Sequence, residues 1–189
     1  MNTKRIALSL AVVAASTLGV MAQRVKLEPD QRYLLLSTYK GKTMQKELDE
    51  VSAKGFRVMM ASANGPEMVL FLEKVSEPPN TFKYLYLATF REKTLSKELT
   101  NAANEGYRIM PHTVMYKTGF TIFNNETVVL MEKQPNATKK YEYLVVFSGS
   151  TGDLQKAVSE AAEKDFKLAG LVVGNGNRVI MEKESSLQP

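Results

Sequence analysis

The chain has 189 residues, a formal net charge of +5, 44% apolar residues and no cysteine. This apolar content is enough for a packed core and excludes a disordered chain. The lack of cysteine excludes disulfides, thiol nucleophiles, zinc–thiolate sites and a lipid-modified cysteine.

The N-terminus reads as a targeting signal. Lys4 and Arg5 form a positive start, and Ile6 to Val20 is an apolar, Ala-rich stretch. Val20-Met21-Ala22 puts small residues at the minus-three and minus-one positions of a signal-peptidase site, so residues 1–22 are expected to be cleaved after Ala22. The stretch falls short of the roughly 20 apolar residues that a spanning helix needs. An uncleaved anchor is the alternative, and it is the only membrane contact expected. Removing Lys4 and Arg5 takes the charge from +5 to +3. Lys and Glu alternate through the rest of the chain, without the one-sided basic cluster that nucleic acid would want, so no nucleic-acid partner is expected. An exported protein without disulfides fits a bacterial periplasm or cell exterior.

After a linker at residues 23–31, three segments share one spacing. Tyr33, Tyr84 and Tyr143 each open an apolar run. Ten residues on stand Thr43, Thr94 and Asp153, types able to cap a helix with a side-chain oxygen. Met44, Leu48, Val51 and Ser52 then recur at helical spacing, as do Leu95, Leu99, Ala102 and Ala103, and Leu154, Val158, Ala161 and Ala162. One narrow apolar stripe is the mark of a helix lying on a sheet. Gly55, Gly106 and Asp165 end the three helices at a position that favours left-handed backbone. An aromatic residue follows each: Phe56, Tyr107 and Phe166. A hairpin comes next, and its last strand closes on Glu73-Lys74, Glu132-Lys133 or Glu182-Lys183.

A fixed internal period of this kind sets the fold. The expectation is an α+β protein of three tandem βαββ repeats at residues 32–75, 82–134 and 140–184, with a short tail at 185–189. Each antiparallel-rich sheet is covered by one helix, and the three pack together. Units of this size make marginal cores alone. The opening strands YLLLSTY and YLYLATF are apolar on both faces, so both faces want cover. The helix-free faces are therefore expected to meet one another, as one curved sheet, a sandwich or a closed three-fold arrangement.

These residues resemble a small bacterial family, the domain of unknown function 4177 family. The likeness rests on Tyr141-Glu142-Tyr143-Leu144-Val145-Val146, on the corners Gly55-Phe56-Arg57-Val58 and Gly106-Tyr107-Arg108-Ile109, and on Phe71-Leu72-Glu73-Lys74. The chain departs from the family in having no Trp, and in Arg or Lys where the family often has Glu. The resemblance implies a βαββ fold and brings no catalytic residue or cofactor with it.

Function is sought where one copy departs from the others. From the helix-ending residue to the closing Glu takes 18 residues in the first copy (55 to 73), 17 in the third (165 to 182) and 26 in the second (106 to 132). The surplus is assigned to Tyr116 to Phe123, a lengthened hairpin. Its large apolar groups Tyr116, Phe120, Ile122 and Phe123 form a candidate contact surface for a protein partner or a second copy of the chain. The alternative is that they pack internally against a neighbouring unit.

Two other stretches are candidates. Gly149-Ser150-Thr151-Gly152 lies between a strand and a helix, where backbone N–H groups can receive an anion. It lacks the Gly-Lys-Ser/Thr ending of a phosphate loop. Met110, His112 and Met115 bring two thioethers around the one histidine, a set that suits Cu(I), although strand alternation turns Met115 to the other face. No serine has a nucleophile-elbow context, and no carboxylate pair is spaced for catalysis. The expectation is an exported, non-enzymatic binding or structural protein without cofactor. The alternatives are a carrier with a small apolar ligand between units and, behind it, a hydrolase.

Overall fold

The structure is a computed structural model that describes residues 31–119, 125–133, 135 and 138–185. The expected signal peptide, most of the linker and the last four residues lie outside the described residues. No helix among the described residues is long and apolar enough to cross a membrane.

Among the described residues the fold is mixed α+β, with three antiparallel sheets and three α-helices. β1 (Tyr33–Thr38), α1 (Gly41–Ser52), β2 (Phe56–Asn64) and β3 (Glu67–Lys74) make the first sheet and its helix, with strand order β1-β3-β2. β4 (Lys83–Thr89), α2 (Glu92–Asn104), β5 (Tyr107–Ile109), β6 (Met115–Lys117) and β7 (Glu126–Lys133) make the second, in which β7 pairs with β4 on one side and with β5 and β6 on the other. β8 (Lys140–Ser148), α3 (Thr151–Ala162), β9 (Lys167–Gly174) and β10 (Gly176–Ser185) make the third, ordered β8-β10-β9. In each sheet the opening strand is an edge, paired only with the closing strand.

The helices start earlier than the capping pattern suggests. Thr43 and Thr94 lie inside the first turns of α1 and α2, where no side chain caps the helix. The turn into each helix is made further back. Thr38, Thr89 and Ser148 accept hydrogen bonds from the N–H groups of Lys40, Arg91 and Ser150, two residues on. This bends the chain just after the strand, so helical bonding begins at once. Only α3 has a side-chain cap: Ser150 accepts from the Asp153 N–H, so Asp153 is the capped residue and not the cap. The helix ends agree with expectation. Gly55, Gly106 and Asp165 have φ of 80°, 91° and 66°.

The middle sheet is interrupted where the others carry a bulge. The register slips at Val58/Met60 in the first sheet and opposite Ile180/Met181 in the third. At the matching place β5 ends, and a 3-10 turn, Pro111–Thr113, leads the chain out and back into β6. Opposite Leu72 and Val69, the first sheet spans four steps, from Val58 to Ser62. Opposite Met131 and Val128, the second spans six, from Ile109 to Met115. Part of the surplus length thus lies in this detour, earlier than Tyr116.

The sheets do not bring their helix-free faces together. They stack in series, and this corrects the expected co-packing. The first core holds Leu34, Leu36, Leu70 and Leu72 with the α1 stripe Met44, Leu48 and Val51. It also holds Tyr84, Val128, Leu130, Met110 and Met115 from the helix-free face of the second sheet. In the second core Leu95 and Leu99 of α2 meet Val129 and Met131 together with Tyr141, Tyr143, Val145 and Ile180 of the third sheet. The third core, Leu154, Ala161, Val179 and Met181, has no further sheet above it among the described residues. The physical reason is that a helix at one edge covers only part of its sheet. The rest is covered by the next sheet in sequence.

Candidate functional site

The two junctions between successive sheets are built alike. At the first, the Tyr84 hydroxyl accepts from the Val58 N–H at 3.0 Å and donates to Glu132 Oε2 at 3.1 Å. Arg57 donates twice to the same carboxylate, Nε at 3.0 Å and Nη2 at 2.9 Å, and lies 4.2 Å over the Phe82 ring. At the second, the Tyr143 hydroxyl accepts from the Ile109 N–H at 3.0 Å and donates to Glu182 Oε2 at 3.2 Å. Arg108 donates to both Glu182 oxygens and lies 4.5 Å over the Tyr141 ring.

The positions follow from the register. Tyr84 stands opposite Glu132 and Tyr143 opposite Glu182, so hydroxyl and carboxylate share one face. The Arg comes from the preceding sheet, one residue after the aromatic corner. Two charges close to an aromatic ring, with the carboxylate taken out of water, are each satisfied by several bonds. Burial above all pushes the Tyr84 and Tyr143 hydroxyls far above the ordinary tyrosine range, and the neighbouring carboxylates add to it. Glu132 and Glu182, as hydrogen-bond partners, raise Arg57 and Arg108 against the opposing effect of burial. The set serves for holding and aligning. Its tyrosines stay protonated, and its carboxylates are saturated with donors.

Helices α1 and α2 also serve the edge strand of the following sheet. Gln45 of α1 accepts from the Tyr86 N–H at 2.8 Å and donates to the Tyr84 carbonyl at 3.0 Å. Ser96 and Thr100 of α2 accept from the Val145 and Tyr143 N–H groups at 2.9 and 3.0 Å. An open strand edge is thereby satisfied by side chains in place of another strand.

The candidate residues from the sequence fall as follows. Tyr116 lies half-buried in β6, and its ring sits so close to Gly174 of β9 that a Cβ there would come within 2.6 Å of it. Phe120, Ile122 and Phe123 lie outside the described residues. Val114 likewise backs onto Gly170, and the Thr118 N–H donates to the Gly65 carbonyl in the first sheet's hairpin. This segment therefore ties the second sheet to both neighbours. Met110 and Met115 are buried in the first core, while His112 is exposed on the 3-10 turn, so the thioethers and the imidazole face different surroundings. Among the described residues no cluster of three His, Asp or Glu is placed to hold a metal ion. In Gly149, Ser150, Thr151 and Gly152, Ser150 is spent on capping, and the Asp153 carboxylate already sits in the first turn of α3. That carboxylate opposes a second anion.

The junction residues were missed as a set by sequence reading. Their signal was present: the aromatic-Arg corners Phe56-Arg57 and Tyr107-Arg108, Tyr84 and Tyr143 in opening strands, and Glu132 and Glu182 in closing strands. Nothing in one chain's spacing tells which sheet's Arg meets which sheet's Glu.

A cleft of about 490 Å³ opens beside the second junction, lined by Arg108, Tyr141, Lys167, Asp165, Glu182 and Glu184 among others. Apart from Tyr141, its lining residues are charged. No family model matches the chain, and neither a curated protein nor a solved structure matches it.

Proposed function

We propose that the chain is a tandem array of three divergent βαββ units, at residues 32–75, 82–134 and 140–184, that works as an exported, non-enzymatic binding or structural protein. The observation that carries this reading is the pair of matching junctions, Arg57–Tyr84–Glu132 and Arg108–Tyr143–Glu182. An array in which each unit contacts mainly its neighbours gains stability from unit interfaces and offers an extended surface. The likeness to the domain of unknown function 4177 family agrees with a βαββ unit and with the absence of an inherited catalytic set. Export after cleavage at Ala22 rests on the N-terminal pattern.

The apolar-carrier reading is less well supported, because the cleft found between two units is lined by charges. A hydrolase has no assembled group to start from in the junctions, whose carboxylates are engaged. The test is unfolding in urea of Tyr84→Phe and Tyr143→Phe. Both are expected to lower the midpoint, because each leaves a strand N–H without its acceptor. An unchanged midpoint in either would sink the repeated-junction reading. N-terminal sequencing of the exported product is expected to begin at Gln23, and an intact Met1 on the exported chain would overturn the cleavage.

A further inference from the structure

We propose that copies of this chain associate head to tail, the first sheet of one copy docking on the α3 side of the third sheet of the next, through the junction already used twice within the chain. The proposal rests on the repeat reading above and extends it to the two ends of the array.

The first sheet carries one half of a junction that nothing among the described residues receives. Tyr33 stands opposite Glu73, as Tyr84 stands opposite Glu132 and Tyr143 opposite Glu182. Tyr84 and Tyr143 are 3% exposed, whereas Tyr33 is 45% exposed. Leu35 and Met59, on the same face, are also exposed, while Met110 and Val145 at corresponding places in the other sheets are buried. β1 is an edge strand, and the shared register turns its Leu35 N–H outward, like those of Tyr86 and Val145 that α1 and α2 satisfy.

The third sheet carries the other half. Lys167 and Leu168 follow Phe166 as Arg57 and Val58 follow Phe56, and as Arg108 and Ile109 follow Tyr107. Val58 is 1% and Ile109 5% exposed, against 67% for Leu168. Leu171 and Val173 are exposed beside it. On α3, Gln155 and Ser159 stand where Gln45 and Asp49 do in α1 and where Ser96 and Thr100 do in α2. Both are exposed, and the Gln155 side-chain amide donates to Ser159 Oγ at 3.2 Å. Arg32 donates twice to Glu73 Oε1, and Lys167 brings a second cation, at the position of Arg57 and Arg108.

Two departures make the junction between copies weaker than those within. Gln31 replaces Phe82 and Tyr141, so no ring lies beneath the cation. Lys167 replaces the two-pronged arginine. A contact that joins two different faces generates a ring or an open filament and not a closed two-fold pair.

The test uses the chain from Gln23 onward in sedimentation velocity. Mass is expected to rise with concentration in steps of one chain. A chain that stays monomeric up to about 1 mM overturns the proposal. Leu35→Glu and Leu168→Glu, each on one face and each checked for native circular dichroism, are expected to weaken association by about tenfold or more. Mixed together, they are expected to form a pair and no larger species, because one good face remains on each. Two outcomes overturn the head-to-tail geometry: undiminished association of either variant alone, or no pairing in the mixture. If Tyr84→Phe and Tyr143→Phe destabilise the chain while it stays monomeric, the repeat reading stands and only the association falls.

Discussion

Glu132 shows what one side chain does at a junction. It is almost fully buried, takes both bonds from Arg57 and receives the Tyr84 hydroxyl. Truncating one partner of such a set leaves the other charge poorly solvated, so Glu132→Ala is expected to cost about 3 kcal/mol in urea unfolding. At the second junction Arg108 is half exposed, and solvent takes up part of the loss. Glu182→Ala is therefore expected to cost about 1 kcal/mol. The tyrosines make stability depend on alkaline pH. Burial raises Tyr84, Tyr86 and Tyr143 above their unfolded values. A raised tyrosine keeps its proton in the fold after the unfolded chain has lost it. Stability is then complete below the ordinary tyrosine value of about 10 and falls as pH rises past it, by about 1.4 kcal/mol per pH unit for each tyrosine. Unfolding free energies between pH 8 and 11 check this, and Tyr84→Phe is expected to flatten the slope.

Helices α1, α2 and α3 have similar apolar stripes but different partners. α1 and α2 each lie along the edge strand of the following sheet, and α3 has none to serve. Gln45→Ala removes two bonds to β4 and leaves the Tyr86 N–H unmet, so a cost of about 1–2 kcal/mol is expected. Gln155→Ala at the matching place on α3 is expected to stay within about 0.5 kcal/mol in the monomer. Equal costs from the two variants in thermal or urea unfolding would contradict this account. The stripe itself was legible in the sequence, down to the buried Ser52 and Ala103. In α3 the pattern predicts a buried Ala162, and it is exposed, because no further sheet among the described residues covers it.

At the scale of the whole molecule, the second sheet acts as the tie. Its β6 segment touches the first sheet through Thr118 and the third through Val114 and Tyr116. Gly174→Ala would drive a methyl group into the Tyr116 ring near its base, where the ring cannot swing aside cheaply. A loss of about 1–3 kcal/mol is expected, with Tyr116→Ala relieving the clash in the double variant. Deleting residues 116–123 is expected to destabilise the fold as well, since Tyr116 and Lys117 of β6 go with them. A deletion that left the urea midpoint unchanged would return this segment to the role of a projecting contact surface.

The sequence by itself determined the mixed α+β class, the three helical stripes, the left-handed corners at Gly55, Gly106 and Asp165, and the run of antiparallel strands. These depend on neighbours a few residues apart, and spacing records them directly. It also marked every member of the two junctions, as Tyr, Arg and Glu at fixed places. Only the tertiary structure decided that the sheets stack in series, so that Arg57 meets Glu132 and not Glu73. A strand apolar on both faces states that both need cover. It does not state what covers them, because that choice is made by contacts between residues 26 to 75 positions apart.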